Sequence, residues 1–318
     1  MNARRDLGRA DALREAGYFA KSEALYKSVL RGSADAALRA EASLGSALGL
    51  RAVGDTKGAA ARLKDARRAA KAAGLDLADR IDLEEALVLR AAEKYGEALK
   101  RLKPRLRGAD AEEAAFLWWA IGGCYRFQGR LSDAVAAFRK SMALAAKARD
   151  KVGRGYALFG LAGAVRVKGD AKASDKHYRE AGRLFEGTGD DFGRAYAACG
   201  GANALRQLGR LAEAERGYRR AYGIYAGLGD PVDLAYVDWG WGEVHLKRGE
   251  LAPALKRFAA AEKAFRSGHE TRGVVLCLHS RARALHAQGQ TSQAERLFSE
   301  GVSLARRAKI HTHLESFT

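Results

Sequence analysis

Proline is nearly missing from this chain, with three in 318 residues, against 36 glycines. Few prolines, abundant alanine and glycine, and 47% hydrophobic residues suit closely packed helices and argue against disorder. Cysteine is as sparse. Cys124, Cys199 and Cys277 form an odd set without C-x-x-C spacing, each inside a predicted helix among apolar neighbours. Buried free thiols in a reducing compartment are expected. No run approaches the ~18 apolar residues that span a bilayer. The start, Met1 to Asp6, leads into an amphipathic helix without an apolar signal region. A cytoplasmic protein without membrane insertion is the expectation.

Signatures of chemistry are missing too. There is no phosphate-binding G-x-x-x-x-G-K-[ST], no G-x-S-x-G and no H-E-x-x-H. Gly122–Gly123 and Gly200–Gly201 fall in mid-helix, where they allow close helix approach and form no phosphate loop. His279 and His286 share one stripe of the last unit, with His311 and His313 beyond it, but their spacing fits no zinc pattern and Cys277 lies on another helix face. The chain reads as no enzyme, with no cofactor and no metal. Acidic residues are also in deficit: 38 Asp and Glu against 56 Lys and Arg leave +18. Such a surplus attracts something acidic, whether protein, nucleic acid or anionic surface.

What is present is a period. Gly129, Gly169, Gly209, Gly249 and Gly289 recur every 40 residues. Small residues follow at a fixed offset (Ala134, Ser174, Ala214, Ala254, Ala294), then aromatics (Phe138, Tyr178, Tyr218, Phe258, Phe298), then small residues again (Ser141, Ala181, Ala221, Ala261, Gly301). A period of this size marks a stacked array whose units bury their apolar faces against neighbours. All five aromatics are expected to be largely buried. Each unit reads as two helices, with the Gly ending the first, where a left-handed residue costs least. Asp150, Asp190, Asp230 and Glu270 precede the next first helix, where an acidic side chain can cap it and face its positive dipole end. Pro231 suits a first helical position. Gly54 with Ala59, and Gly17 with Ser22 and Tyr26, mark earlier units, and a unit around Tyr95 and Ala98 has Glu93 at the Gly position. That makes about eight antiparallel helix pairs in one repeat domain over 1–309, with a short tail, 310–318.

Trp118, Ile121, Gly122, Tyr125, Gly129, Ala134, Phe138 and Ser141 together resemble the tetratricopeptide repeat, and other units match it in part. The family's usual unit of about 34 residues is shorter, so both helices are expected to be lengthened here. The resemblance implies an all-α, right-handed superhelical solenoid whose first helices line a concave groove, acting as a scaffold or adaptor that clasps peptides.

On the first helices a second stripe lies away from the packing stripe, and the resemblance turns it toward the groove. Phe116, Tyr156, Tyr196 and Tyr236 stand 40 apart on it, as do Trp119, Phe159, Cys199 and Trp239. Arg126, Arg166 and Arg206 repeat likewise, preceded in looser register by Arg51 and Arg90, and Asn203 sits one turn before Arg206. An aromatic floor with a ladder of guanidinium groups would suit an acidic peptide segment with apolar anchors. Two plainer readings stand beside it. The arginines occupy the last helical turn, where a cation satisfies free carbonyls, and the aromatics can pack against the preceding unit's second helix. The second helices are also basic (Arg139, Arg179, Arg183, Arg219, Arg220, Arg257), which makes a solvated outer face or a track for non-specific nucleic-acid binding. No ninth unit covers the last second helix, so Ile310, Leu314 or Phe317 is expected to fold back over it, or a second molecule to meet it there.

Overall fold

The structure, a computed structural model, describes residues 3–308. Sixteen α-helices and one short 3-10 turn follow one another, with no strand among the described residues. They come in pairs: α1 (Ala3–Glu15) with α2 (Phe19–Gly32), α3 (Ala36–Ala52) with α4 (Thr56–Ala73), α5 (Ala78–Ala91) with α6 (Tyr95–Leu102), and α7 (Ala111–Phe127) with α8 (Leu131–Lys147). The array continues with α9 (Lys151–Val167) and α10 (Ala171–Phe185), α11 (Asp191–Gln207) and α12 (Leu211–Leu228), α13 (Pro231–Lys247) and α14 (Leu251–Ser267), and α15 (Thr271–Ala287) and α16 (Thr291–Arg307). Each helix packs on the next, and first helices also touch across units, α1 with α3, α3 with α5, α7 with α9, α9 with α11, α11 with α13 and α13 with α15. This is an all-α solenoid of eight helix pairs. The tail lies outside the described residues, as does any cover it provides for α16.

Local chemistry sets the period. α7 and α8 have 17 residues each, and three-residue connections complete the forty. The first connection turns on a left-handed residue, Gly129 at φ 75° and its counterparts. In the third unit Glu93 holds the same conformation at φ 61°. The connection between units has a left-handed column of its own: Arg149, Gly189, Gly229 and His269. Asp150 and Asp190 each accept the backbone N–H three residues on, and Asp230 accepts those of Val232 and Asp233, so these three cap their helices. Glu270 does not. Its longer side chain instead accepts the Tyr236 hydroxyl at 2.9 Å. In the third unit Pro104, within the 3-10 turn Pro104–Leu106, stops α6 after eight residues.

The core repeats as rings set into notches. Phe138 lies between α7 and α9, and a Cβ on Gly122 or Gly160 would come within 2.8 or 2.1 Å of it. Gly200 and Gly240 make the same room for Tyr178 and Tyr218, and Gly242 does so for Phe258. These four rings are buried. Phe298 is a correction to the expected column: it is 55% exposed. With no described helix beyond α16 it has no second notch, and on its inner side it meets the His279 ring at 5.2 Å. Cys124 and Cys277 are buried and Cys199 half-buried, all as free thiols. Burial pushes the Cys124 thiol up to about 11. No described helix is long and apolar enough to cross a membrane.

Candidate functional site in the lumen

Superhelical winding brings the first three units back onto the last three. Gly17 lies against Phe192 and Leu228, and the Phe19 and Phe192 rings meet edge to face at 6.1 Å. The turn of the second unit faces the connections at Asp230 and Glu270 across a cavity of about 460 Å³. The third unit's turn, with Glu93 and Tyr95, approaches Glu270 and Arg272. The groove is therefore not open along its length. Its middle is a cavity of about 390 Å³ whose walls come from six of the first helices, α5 to α15.

Arg90, Arg126, Arg166, Tyr196, Asn203 and Tyr236 all line this cavity. Phe127 joins them. Its ring stacks on Tyr95 at 5.8 Å and is covered by the guanidinium groups of Arg126 at 4.9 Å and Arg272 at 5.8 Å. The remaining aromatics form a continuous run of ring contacts from unit to unit: Phe116 to Trp119 at 5.6 Å, Trp119 to Tyr156 at 6.1 Å, Tyr156 to Phe159 at 5.4 Å, and Phe159 to Tyr196 at 4.8 Å. Tyr156 and Phe159 also pack on Phe185 of their own second helix, α10. Tyr156 donates to Asp190, the next unit's cap, at 3.0 Å. Of the run, Phe116 is exposed, while Phe159 is buried with Trp239 further along.

The arginine column divides. Arg90 and Arg126 reach into notches left by Gly123 and Gly163 of the following unit, and Arg90 covers Trp119 at 4.5 Å. Arg51 pairs with buried Glu84. Arg206, 1% exposed, does not line the cavity, whereas Arg166, 3% exposed, does. Arg206 Nε donates to the Tyr218 hydroxyl at 3.3 Å, which donates to Asn203 at 2.8 Å. Arg206 Nη1 lies 3.7 Å from Glu243, which also receives Ser280 at 2.6 Å and Arg283 at 3.2 Å, and Trp239 donates to Ser280 at 2.9 Å. Arg14, Tyr26 and Asp11 repeat the arginine–tyrosine–acceptor geometry in the first unit, at 3.1 and 2.6 Å. The signal was in the sequence: an Arg three residues before the turn Gly and a Tyr nine after it.

Sequence reasoning missed the acidic wall. Glu93, Asp233 and Glu270 come from three units and meet only through winding. Partial burial and then Glu270 raise the Glu93 carboxyl, while Arg272 opposes. Asp233, half-buried, is pushed up to about 8 by desolvation and then by Asp230 and Glu270. Burial and then Arg51 push Arg90 down to about 10. The raised Asp233 makes the folded state the tighter proton binder, so stability is greatest below the usual carboxylate range and falls as pH rises from 3.8 toward about 8. Asp233→Asn is expected to leave melting at pH 4 unchanged and to raise it at pH 9. The gain is on the order of 1–3 kcal/mol after allowance for solvent screening. Equal melting temperatures at both pH values would contradict it.

Residues 117–147 match the tetratricopeptide repeat model. The chain is of the tetratricopeptide-repeat type. Its array is similar to the crystal structure of a Rap protein complexed with Competence and Sporulation Factor, at TM-score 0.64 and 12% identity over 97% of this chain and 99% of that one. It is similar to Cut9–Hcn1 from the APC/C, at TM-score 0.66 and 16% identity over 92% of this chain and 51% of that one. It also resembles the apo form of RapI, at TM-score 0.64 and 11% identity over 84% and 97% of the two chains. No curated protein sequence matches the chain. At these identities the likeness is one of fold, and tetratricopeptide arrays of this kind are protein-binding scaffolds.

Proposed function

We propose that this array is a scaffold that receives an acidic, partly apolar segment of another protein on its concave side. The observation that carries the reading is the lumenal cavity, where Arg90, Arg126 and Arg166 converge beside the Phe127, Tyr95 and Tyr196 rings. Guanidinium forks suit carboxylates, and rings add contact area at little entropic cost. Two solved neighbours support it by what they hold, a Rap protein its Competence and Sporulation Factor and Cut9 its Hcn1. The outer faces support the nucleic-acid alternative less. Arg179 is paired with Asp175, Arg219 with Glu215 and Arg257 with Asp238, so much of the outer charge is met locally.

The test is binding of a fluorescent Glu- and Phe-containing peptide, read by anisotropy. Arg126→Ala, at the cavity wall, is expected to weaken it by about 1.5–3 kcal/mol, the range for charge-assisted contacts, and Arg220→Ala on the outer face by less than about 1 kcal/mol. Equal losses, or capture of RNA in preference to the peptide, would favour the outer track. Arg206 is unsuited to this test because its burial ties it to folding.

A further inference from the structure

The first and last helices of the array carry complementary halves of its repeating seam. On the first helices, the residue nine positions before the turn Gly is itself glycine in five units: Gly8, Gly45, Gly160, Gly200 and Gly240. Four of these make notches for a ring of the preceding unit. A Cβ on Gly45, Gly160, Gly200 or Gly240 would come within 2.6 Å of Tyr26, Phe138, Tyr178 or Tyr218 respectively. Gly8, on α1, is the fifth, and a Cβ there would meet nothing within 4 Å. It is exposed. On α16 Phe298 holds the ring position of the same column and stands 55% exposed, without a second notch among the described residues. One end thus presents a notch without a ring, and the other a ring without a notch.

Charge agrees with shape. Where Tyr26 enters the Gly45 notch, Glu23, three residues before the ring, accepts the hydroxyl of Ser46, one after the glycine, at 2.6 Å. At the α8–α9 seam the same two places hold Val135 and Leu161, which share one apolar core. At the two ends of the array they hold Glu295 and Arg9, both exposed and of opposite charge. A ring seated in a close-fitting notch, with opposite charges meeting beside it, is the anchor of a specific interface. We propose that a second copy of this chain docks here head to tail, Phe298 of one molecule entering the Gly8 notch of the next and Glu295 pairing with Arg9. The contact reproduces the seam between units and carries the forty-residue period across molecules. Its two surfaces differ, so each docked pair still offers a ring at one end and a notch at the other, and assembly is linear. It is independent of the lumen and of the peptide-binding reading above.

The test is sedimentation velocity of the full-length protein at increasing concentration. The weight-average mass is expected to rise above the monomer's 34.3 kDa and to pass the dimer without a plateau. Gly8→Leu fills the notch from an open, exposed position, and Phe298→Ala removes the ring. Each is expected to weaken association by about tenfold or more. An equimolar mixture of the two variants should associate again and stop at the dimer, since one supplies the only intact ring and the other the only intact notch. Arg9→Glu and Glu295→Arg should each weaken association, and both together in one chain should restore it. Circular dichroism of each variant reports whether the array is intact. If Gly8→Leu associates like the parent while Phe298→Ala does not, two α16 faces pair with each other and the proposal is overturned. A parent that stays monomeric at every concentration also overturns it, and if removal of residues 309–318 then permits association, the tail is the occupant of that face.

Discussion

Phe138→Ala is expected to destabilise the array by about 3–5 kcal/mol, while Phe298→Ala, in the same column, costs less than about 1 kcal/mol. The two rings occupy equivalent positions on α8 and α16. Phe138 is 2% exposed between two glycine notches, so truncation leaves a cavity bounded by two helices that cannot close over it. Phe298 is 55% exposed and loses little. Urea denaturation followed by circular dichroism distinguishes them, and similar midpoints for both variants would contradict the notch account. Filling the notch should act like emptying it. At Gly160 an added Cβ falls 2.1 Å from the Phe138 ring, so Gly160→Ala is expected to cost about 1–3 kcal/mol through overpacking despite alanine's better helix propensity. Gly223, also within a helix but with open space around it, provides the control. There the same change should stabilise by roughly 0.5–1 kcal/mol.

The second large effect is expected at Glu243. Its carboxylate is 2% exposed and faces Arg206, itself 1% exposed, with Arg283 and Ser280 on the same two oxygens. Glu243→Ala removes the charge that offsets these guanidinium groups, at a cost of about 3–5 kcal/mol, the range for breaking a buried pair on one side. By contrast, Asp65→Ala breaks an exposed pair with Arg68 and should cost less than about 1 kcal/mol. Chemical denaturation of both variants at neutral pH checks this. A Glu243 variant as stable as the parent would mean that the network is solvated and contributes little.

The site was legible in proportion to how local its geometry is. Arg126, Tyr196 and Tyr236 reach the lumen because helical periodicity fixes the face on which a side chain stands. That same periodicity could not say how deeply a residue is covered. Phe159, Trp239 and Arg206 share the face and are buried, since adjacent first helices pack edge to edge and their side chains fill the seam between units. Reading the arginines as caps or as ligand contacts overlooked a third role, packing into glycine notches and holding tyrosine hydroxyls. It depends on pairs that packing of separate helices brings together, such as Arg126 with Gly163 and Arg206 with Tyr218.

By itself the sequence determined the helix pairs, their forty-residue spacing and the burial of the inner aromatic column. Each follows from turn chemistry and apolar period within one unit and its neighbours. Closure of the superhelix was decided by tertiary structure alone. A small rotation per unit accumulates over eight, and no residue within a unit encodes the sum. That sum sets Gly17 against Phe192 and places Glu93 in the same cavity as Asp233 and Glu270. The charge pattern of the lumen is thus a property of the whole winding, because charges from units that never touch in sequence face one another only when the turn is complete.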